Sequence, residues 1–433
     1  MSEPTVYTPE EHNIDLGLLD PHSIEVVQGL HDAGFEAYLV GGCVRDLLLG
    51  AEPKDFDVAT SATPEEVKEV FRRARLVGRR FRIAHVRFGR NIIEVSTFRR
   101  GETDGIETSE DGMILRDNQF GTLAEDALRR DFTINALYFD PTDGRLLDFV
   151  DGMADIREHH LAFIGDTQTR LTEDPVRALR ALRFRAKLGF ELTDEIKQAL
   201  PDAASRLPSV PPARLFEEFN KLFMLGYAEQ AWAAIADSPI CSVLFPCTDP
   251  LSTIVRRAMS NTDQRIADDR PVTPGFLIAV MLWEDYRARY SEFVLDNPHM
   301  EAANMAEQDT LADQTDVMAI PRRFSLFAKE VWHMQSRLEQ RTGRNIRRTV
   351  GHPRFRAGYD LLELRATTYE EQTESYEWWT AFQEADEEAQ AEMIKGLPGG
   401  GSGGGNSSGG GGKRKRRRRR RKPRSQTTGD MPT

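Results

Sequence analysis

Asp55 and Asp57 stand two residues apart, thirteen positions beyond the pair Gly41-Gly42. Side chains at i and i+2 of a strand share one face, so these two carboxylates project together. Carboxylates that close repel unless a divalent cation neutralises them. Oxygen ligands of this kind suit Mg²⁺, which keeps waters and substrate phosphate in its remaining positions. A pair of such ions clamps the attacking and leaving oxygens of a phosphoryl transfer. The glycines supply the other half. A strand ending in Gly-Gly lets backbone N–H groups approach a triphosphate without interference from Cβ, and the following helix aims its positive end there. Arg45 would add a charged fork to the phosphates. The chemistry expected is metal-assisted transfer from a nucleoside triphosphate. Asp55 and Asp57 are the expected metal ligands, with Gly41, Gly42 and Arg45 around the nucleotide.

Two further constellations follow in order. In Arg129-Arg130-Asp131-Phe132-Thr133-Ile134-Asn135-Ala136, strand alternation puts Asp131, Thr133 and Asn135 on one face. In Glu173-Asp174-Pro175-Val176-Arg177-Ala178-Leu179-Arg180, Pro175 fits a first helical turn and the acids favour the same end. Glu173 and Arg177 are i, i+4, and Asp174 and Arg177 are i, i+3, so the three can share a face. Such a patch offers acceptors and donors to the Watson–Crick edge of a base. Arg180 and Arg183 extend the basic stripe toward triphosphate or primer, or else are merely solvated.

The elements that must position these residues change character along the chain. Phe35–Val40 reads as a strand, Val44–Leu49 as a short helix and Phe56–Ala59 as another strand. Thr63-Pro64-Glu65-Glu66 opens a helix, with Thr63 at the N-cap, Pro64 at N1 and Glu66 completing a capping box. Ile83–Phe88, Ile92–Phe98 and Phe132–Phe139 read as strands, which makes a mixed α/β head. After Thr172 the pattern is helical with no convincing strand: Pro175–Leu188, Ala213–Gly226 and Ser325–Arg341 carry helical periodicity.

With 433 residues, 39% apolar and 29% charged, the chain should hold two or three units. The boundaries expected are 20–166 for the head, 167–262 for a helical neck, 263–397 for a helical body and 398–433 for a tail. The longest solidly apolar run, Phe276 to Trp283, is too short for a membrane span and reads as buried helix. The N-terminus is acidic and lacks the order of a signal peptide, so a cytoplasmic protein is expected. Cys43, Cys241 and Cys247 match neither a disulfide framework nor a zinc pattern.

The formal charge of −12 conceals an asymmetry, because residues 1–398 hold 46 basic and 68 acidic residues, a net −22. A polyanion site in that body must be a local basic cluster. The Gly/Ser stretch Gly399–Gly412 should be a flexible coil. Beyond it come Lys413, Arg414, Lys415, Arg416, Arg417, Arg418, Arg419, Arg420, Arg421 and Lys422, self-repelling and without an apolar face. This run can bind RNA phosphates without reading sequence, or serve as a solubility tail or a site for an acidic partner.

Taken together, the ordered motifs resemble the class II nucleotidyltransferase superfamily, which contains poly(A) polymerases and the CCA-adding enzymes of tRNA. The likeness runs from about Tyr38 to Ala366. It implies an α+β chain with a polymerase-β-like nucleotidyltransferase head, an all-helical neck and body, and a disordered basic tail. It also implies that the segment with Arg129, Arg130 and Asn135 recognises the ribose, and that Glu173, Asp174, Arg177 and Arg180 bind the nucleotide, the first three in place of a template. Asp131 is the favoured third catalytic carboxylate, with Glu94 as its rival. Asp148-Phe149-Val150-Asp151-Gly152 resembles the hinge between head and neck. Leu76–Val86, Pro211–Glu218 and His352–Ala357 are similar to bacterial poly(A) polymerases. That implies ATP as substrate, a two-Mg²⁺ site, RNA 3′ ends as acceptor and RNA-decay proteins as partners. A CCA-adding enzyme is the alternative, and a non-catalytic RNA-binding relative stands behind it.

Overall fold

The computed structural model describes residues 3–78, 82–100 and 120–398. Local signals behave as the sequence predicts where the chain supplies its own stop and start. Thr63 caps the helix Pro64–Val70, with the Glu66 N–H donating to Thr63 Oγ1 at 3.3 Å and the Thr63 N–H donating to Glu66 Oε2 at 2.7 Å.

The head is one eight-stranded sheet. Its strands are β1 (Thr5–Tyr7), β2 (Ala37–Val40), β3 (Asp57–Thr60), β4 (Ala74–Val77), β5 (Ile83–Phe88), β6 (Asn91–Thr97), β7 (Leu137–Phe139) and β8 (Leu146–Asp148). They lie in the order β1-β8-β7-β2-β3-β6-β5-β4, with β3 and β6 parallel and every other neighbour antiparallel. The helix Pro21–Asp32 packs on this sheet through Val26, Val27 and Leu30, all fully buried. Three edge or near-edge strands, β1, β4 and β8, carry too few residues to show a period of two. Because β1 pairs with β8, the head begins ahead of the expected residue 20.

The strand expected over Phe132–Phe139 is not continuous. Phe132 makes an isolated bridge to Phe163, Thr133–Asn135 forms a 3₁₀ turn, and only Leu137–Phe139 is strand. Asp131, Thr133 and Asn135 therefore do not line one pleated face. Thr133 and Asn135 are as buried as their apolar neighbours, because each side chain is drawn to a different partner, Asp155 and Arg45 respectively.

Past the head the described residues are helical, apart from Glu191–Leu192, which pairs with His160–Leu161 in a two-residue parallel ladder. The apolar run from Phe276 crosses from helix Pro274–Met281 into helix Trp283–Phe293, with Leu277 to Trp283 buried. The Trp332 indole N–H donates to the Ala279 carbonyl at 2.9 Å, tying helix Arg322–Glu339 to it. Residue 262, the expected end of the neck, lies inside helix Thr253–Ala267.

The segment after β8 turns sharply. Asp148 accepts hydrogen bonds from the N–H groups of Val150, Gly152 and Met153 at 2.9–3.1 Å, capping helix Gly152–Glu158. Gly152 lies so close to the Thr133 carbonyl that a Cβ would collide with its oxygen and stand 2.9 Å from its carbon. Gly152→Ala should therefore destabilise the fold by about 2 kcal/mol, seen as a lower midpoint in thermal unfolding. An unchanged midpoint would mean that the two backbones can separate freely.

Candidate active site

Strand register assembles the centre of the site. Val40, the last residue of β2, pairs with Asp57, and Asp57 in turn pairs with Glu94 of β6. Gly41 follows directly with φ +79°, a conformation that disfavours a side chain. A Cβ on Gly41 would stand 3.7 Å from Arg130 Nη1. The glycine turn, the Asp57 carboxylate and Glu94 thus form one row across three strands, with a guanidinium beside it.

Phe56 is buried while Asp55 and Asp57 on either side are exposed, so the two carboxylates share the solvent side. Asp57 nonetheless sits between two paired strands. Its carboxyl is pushed up to about 6, first by desolvation and then by the negative charges of Glu94 and Asp55, with Arg130 opposing them. Glu94 also faces His85 across the β5–β6 ladder at 3.4 Å, which makes His85 a partly exposed neighbour of the site rather than a core histidine.

Asp131 has two partners of its own. One oxygen accepts from the Phe132 N–H at 2.9 Å and the other from Arg180 Nε at 2.8 Å. Strand pairing puts Glu94, the rival of Asp131, beside Asp57. Asp131 lies between helix Leu123–Arg129 and the Phe132 bridge, ahead of β7.

The arginines also redistribute. Arg45 is only 3% exposed. It donates to Asp46 Oδ1 from Nε at 2.9 Å and to Asn135 Oδ1 from Nη1 at 2.7 Å, so it is not the open fork expected for phosphates. Arg130 takes that position next to Gly41 and Asp57. It is fixed from behind by Asp126, a residue that sequence reasoning missed. Asp126 is 1% exposed and accepts from Arg129, Arg130, the Tyr138 hydroxyl and the Arg99 N–H. Its i+3 and i+4 spacing to Arg129 and Arg130 was the available signal.

Helix Val176–Leu188 is held against the head by side-chain contacts. Arg180 holds Asp131, Lys187 Nζ lies 3.4 Å from Asp46, and Phe184 packs edge-on against Phe132. The guanidiniums of Arg45, Arg180 and Arg183 all lie within 6 Å of the Phe184 ring. At the helix start, Arg177 Nη1 donates to Glu173 Oε2 at 2.6 Å as the spacing predicts. Asp174 does not join them. It ends the preceding helix Thr167–Glu173 and pairs with Arg214 of helix Pro212–Phe223 at 2.6 Å. The segment with Arg79 and Arg80 and the run Lys413–Lys422 lie outside the described residues.

Among the described residues no three His, Cys, Asp or Glu side chains are assembled that could hold a metal by themselves. No helix among them is long and apolar enough to cross a membrane.

The chain is similar to known proteins along most of its length. Residues 37–162 fit the poly A polymerase head domain, 189–251 the "probable RNA and SrmB- binding site of polymerase A", and 296–423 the polymerase A arginine-rich C-terminus. The chain is 41% identical to poly(A) polymerase I of Escherichia coli O6:H1 over 412 residues, 91% of this chain and 89% of that one. It is also 41% identical to poly(A) polymerase I of Haemophilus influenzae over 394 residues, 86% of this chain and 87% of that one. A CCA-adding enzyme of Lactobacillus helveticus is 38% identical over 218 residues, 50% of this chain and 53% of that one. The Bacillus stearothermophilus CCA-adding enzyme, solved with CTP, superposes with a TM-score of 0.55 at 24% identity, covering 83% of this chain and 81% of that one, a likeness of fold.

Burial by itself raises the Asp126 carboxyl, but Arg130 and Arg129 outweigh it and hold the group below its ordinary value. A carboxyl depressed on folding stabilises fully above its unfolded pKa of about 3.9 and loses that contribution as pH falls through the folded value. Asp126→Asn should lose about 3 kcal/mol at pH 7, and the deficit should shrink below about pH 4. Urea unfolding of both proteins at pH 7 and pH 3 checks this; a deficit that does not depend on pH would remove the charge from the explanation.

Proposed function

The chain belongs to the poly(A) polymerase family of nucleotidyltransferases, and from this we infer how its residues divide the reaction. It is a polynucleotide adenylyltransferase, adding AMP to RNA. In the reaction we assign, the RNA 3′-hydroxyl attacks the ATP α-phosphate. A new oxygen–phosphorus bond forms, the bond to the bridging oxygen of the β-phosphate breaks, and pyrophosphate leaves. No template takes part. The observation that carries this reading is the row of Gly41, Asp57 and Glu94 with Arg130 beside it.

The donor set fits Mg²⁺. Asp57 is raised to about 6 by desolvation and by its acidic neighbours, so negative charge at this point is under-compensated, and all the donors are oxygens. Asp55 and Asp57 would hold the ions, with Glu94 contributing charge or a ligand and substrate phosphate filling further positions. When bound, the metal supplies charge neutralisation at the α-phosphate and a lowered pKa for the attacking hydroxyl. The chain's own groups do the positioning. The Gly41-Gly42 turn admits the phosphates, and Arg130, held by Asp126, donates toward them. Arg45 orients Asn135, for which we retain a role at the ribose, and Arg129 braces Asp126. Asp131 and Arg180 act as a pair that fixes the neck helix against the head.

Glu173 and Arg177, with Asp174 held by Arg214, present acceptors and donors from the neck, and we assign them the reading of the base. We divide the chain into a head through residue 166, a neck ending in the 268–273 loop, a body to 397 and the basic tail. RNA is the macromolecular partner. Contact with RNA-decay proteins is part of the proposal, supported by the match of residues 189–251. A cytoplasmic setting accords with it.

Asp57→Asn should abolish AMP incorporation while leaving the thermal midpoint in place; near-normal turnover would take Asp57 out of the mechanism. Incubation of the unmodified protein with unstructured RNA should give long ladders with ATP alone. Two or three additions to tRNA that require CTP would mean CCA addition, and no incorporation a binding relative. Deleting 399–433 should raise the KM for RNA and flatten its salt dependence. Unchanged primer affinity across salt would exclude the tail as an RNA contact.

A further inference from the structure

The reaction makes no use of a cavity of about 390 Å³ in the helical body, between helices Thr253–Ala267, Pro274–Met281, Arg322–Glu339 and Phe355–Tyr369. Its wall includes Arg356 and Ala357 from the His352–Ala357 segment, whose likeness to poly(A) polymerases has no role so far. Phe276 and Phe327 line it, each only partly buried. Asp360 stands among them with its side chain 22% exposed, Oδ1 accepting from Arg356 Nη2 at 2.8 Å. The nearest approach of Arg265 to Oδ2 is 3.9 Å, beyond hydrogen-bond distance, so that oxygen keeps acceptor capacity. Arg270 lies exposed at the rim, 3.7 Å from Asp268.

The charges are balanced. Arginines 265, 270 and 356 are matched by acids 268, 360 and 363 on the same lining. A bare phosphate or a polyphosphate gains little from such a site, because each cation already has a carboxylate near it. What the walls offer instead is stacking surface, one carboxylate acceptor and adjacent guanidinium donors. That combination suits a planar heterocycle carrying an amino donor beside a ring-nitrogen acceptor. Adenine and cytosine present that edge, whereas uracil presents a ring N–H flanked by carbonyls. The volume lies within the range that encloses a small ligand.

We propose that this cavity is a second RNA subsite that takes one adenine nucleotide of the strand upstream of the growing 3′ end. The inference rests on the polymerase reading, since adenine is chosen over cytosine because the product itself is adenylate. The adenine amino group donates to Asp360 Oδ2, a neighbouring guanidinium donates to the ring nitrogen, and the base stacks on Phe276, since Arg354 already lies over the Phe327 ring at 4.4 Å. Such a subsite makes affinity for the primer rise as its tail grows long enough to reach the body.

The test uses the full chain without ATP and 5′-labelled 15-mers of oligo(A), oligo(C) and oligo(U), with binding read by fluorescence anisotropy at one fixed salt. Stacking and edge recognition of one base correspond to about a tenfold change in affinity. Asp360→Asn should weaken oligo(A) by that factor and leave oligo(U) unchanged. Arg270→Ala, at an exposed rim position that the fold does not need, should weaken oligo(A) in the same selective way. AMP addition to a trinucleotide primer should stay at the unmodified rate in both. Parallel losses for oligo(A) and oligo(U) would mean a backbone track and overturn the subsite, as would unchanged oligo(A) binding or oligo(C) falling as far as oligo(A). If the unmodified protein adds no AMP to the trinucleotide, it is the polymerase reading that has failed, and the binding comparison still decides the cavity.

Discussion

The site depends on holding like charges together. Asp55, Asp57 and Glu94 repel one another, and only the backbone pairing of β2, β3 and β6 keeps Asp57 in register with both Val40 and Glu94. The hydrogen-bond ladders of a sheet are stiff, and a one-residue slip would send Asp57 to the opposite face. Phe56, buried between the two aspartates, enforces the correct face, because exposing its ring would cost more than the repulsion relieves. A centre of under-compensated negative charge is thus preserved by packing behind it.

The arginines around that centre are sorted by their partners. Asp126, buried and multiply bonded, fixes Arg129 and Arg130 and leaves one end of Arg130 toward Gly41. Arg45 is consumed within the fold, where it joins the Gly42–Leu48 helix to Asn135. Arg180 and Lys187 connect the neck helix to Asp131 and Asp46 of the head. Each of these cations meets a carboxylate, so the neck is located against the head by charge pairs that surround a shared aromatic contact at Phe184.

The head and the helical body share one apolar core. The main apolar core continues from Ile14 through Leu364, and a smaller cluster around Trp379 and Phe355 closes the far end of the described residues. The overall charge of residues 1–398 disfavours polyanions, so nucleic acid must be met by local arrangements of donors, stacking surfaces and cations.

From the amino-acid order alone, local physics was legible. The capping box at Thr63, the Gly41-Gly42 turn and the i, i+4 pair of Glu173 and Arg177 all rest on contacts within a few residues, where spacing dictates geometry. The mixed head and helical remainder were legible for the same reason, since periodicity is a local property. Tertiary structure decided what spans the chain. Glu94 reaches Asp57 through a parallel pairing of distant strands, Asp174 turns from Arg177 to Arg214 forty residues away, and Arg45 is buried by a partner ninety residues on. The strand expected from Phe132 breaks because Thr133 and Asn135 are pulled to partners on other elements. A side chain's reach is set by its neighbours in sequence, but which of several opposite charges it meets is set by packing, and no spacing rule carries that information.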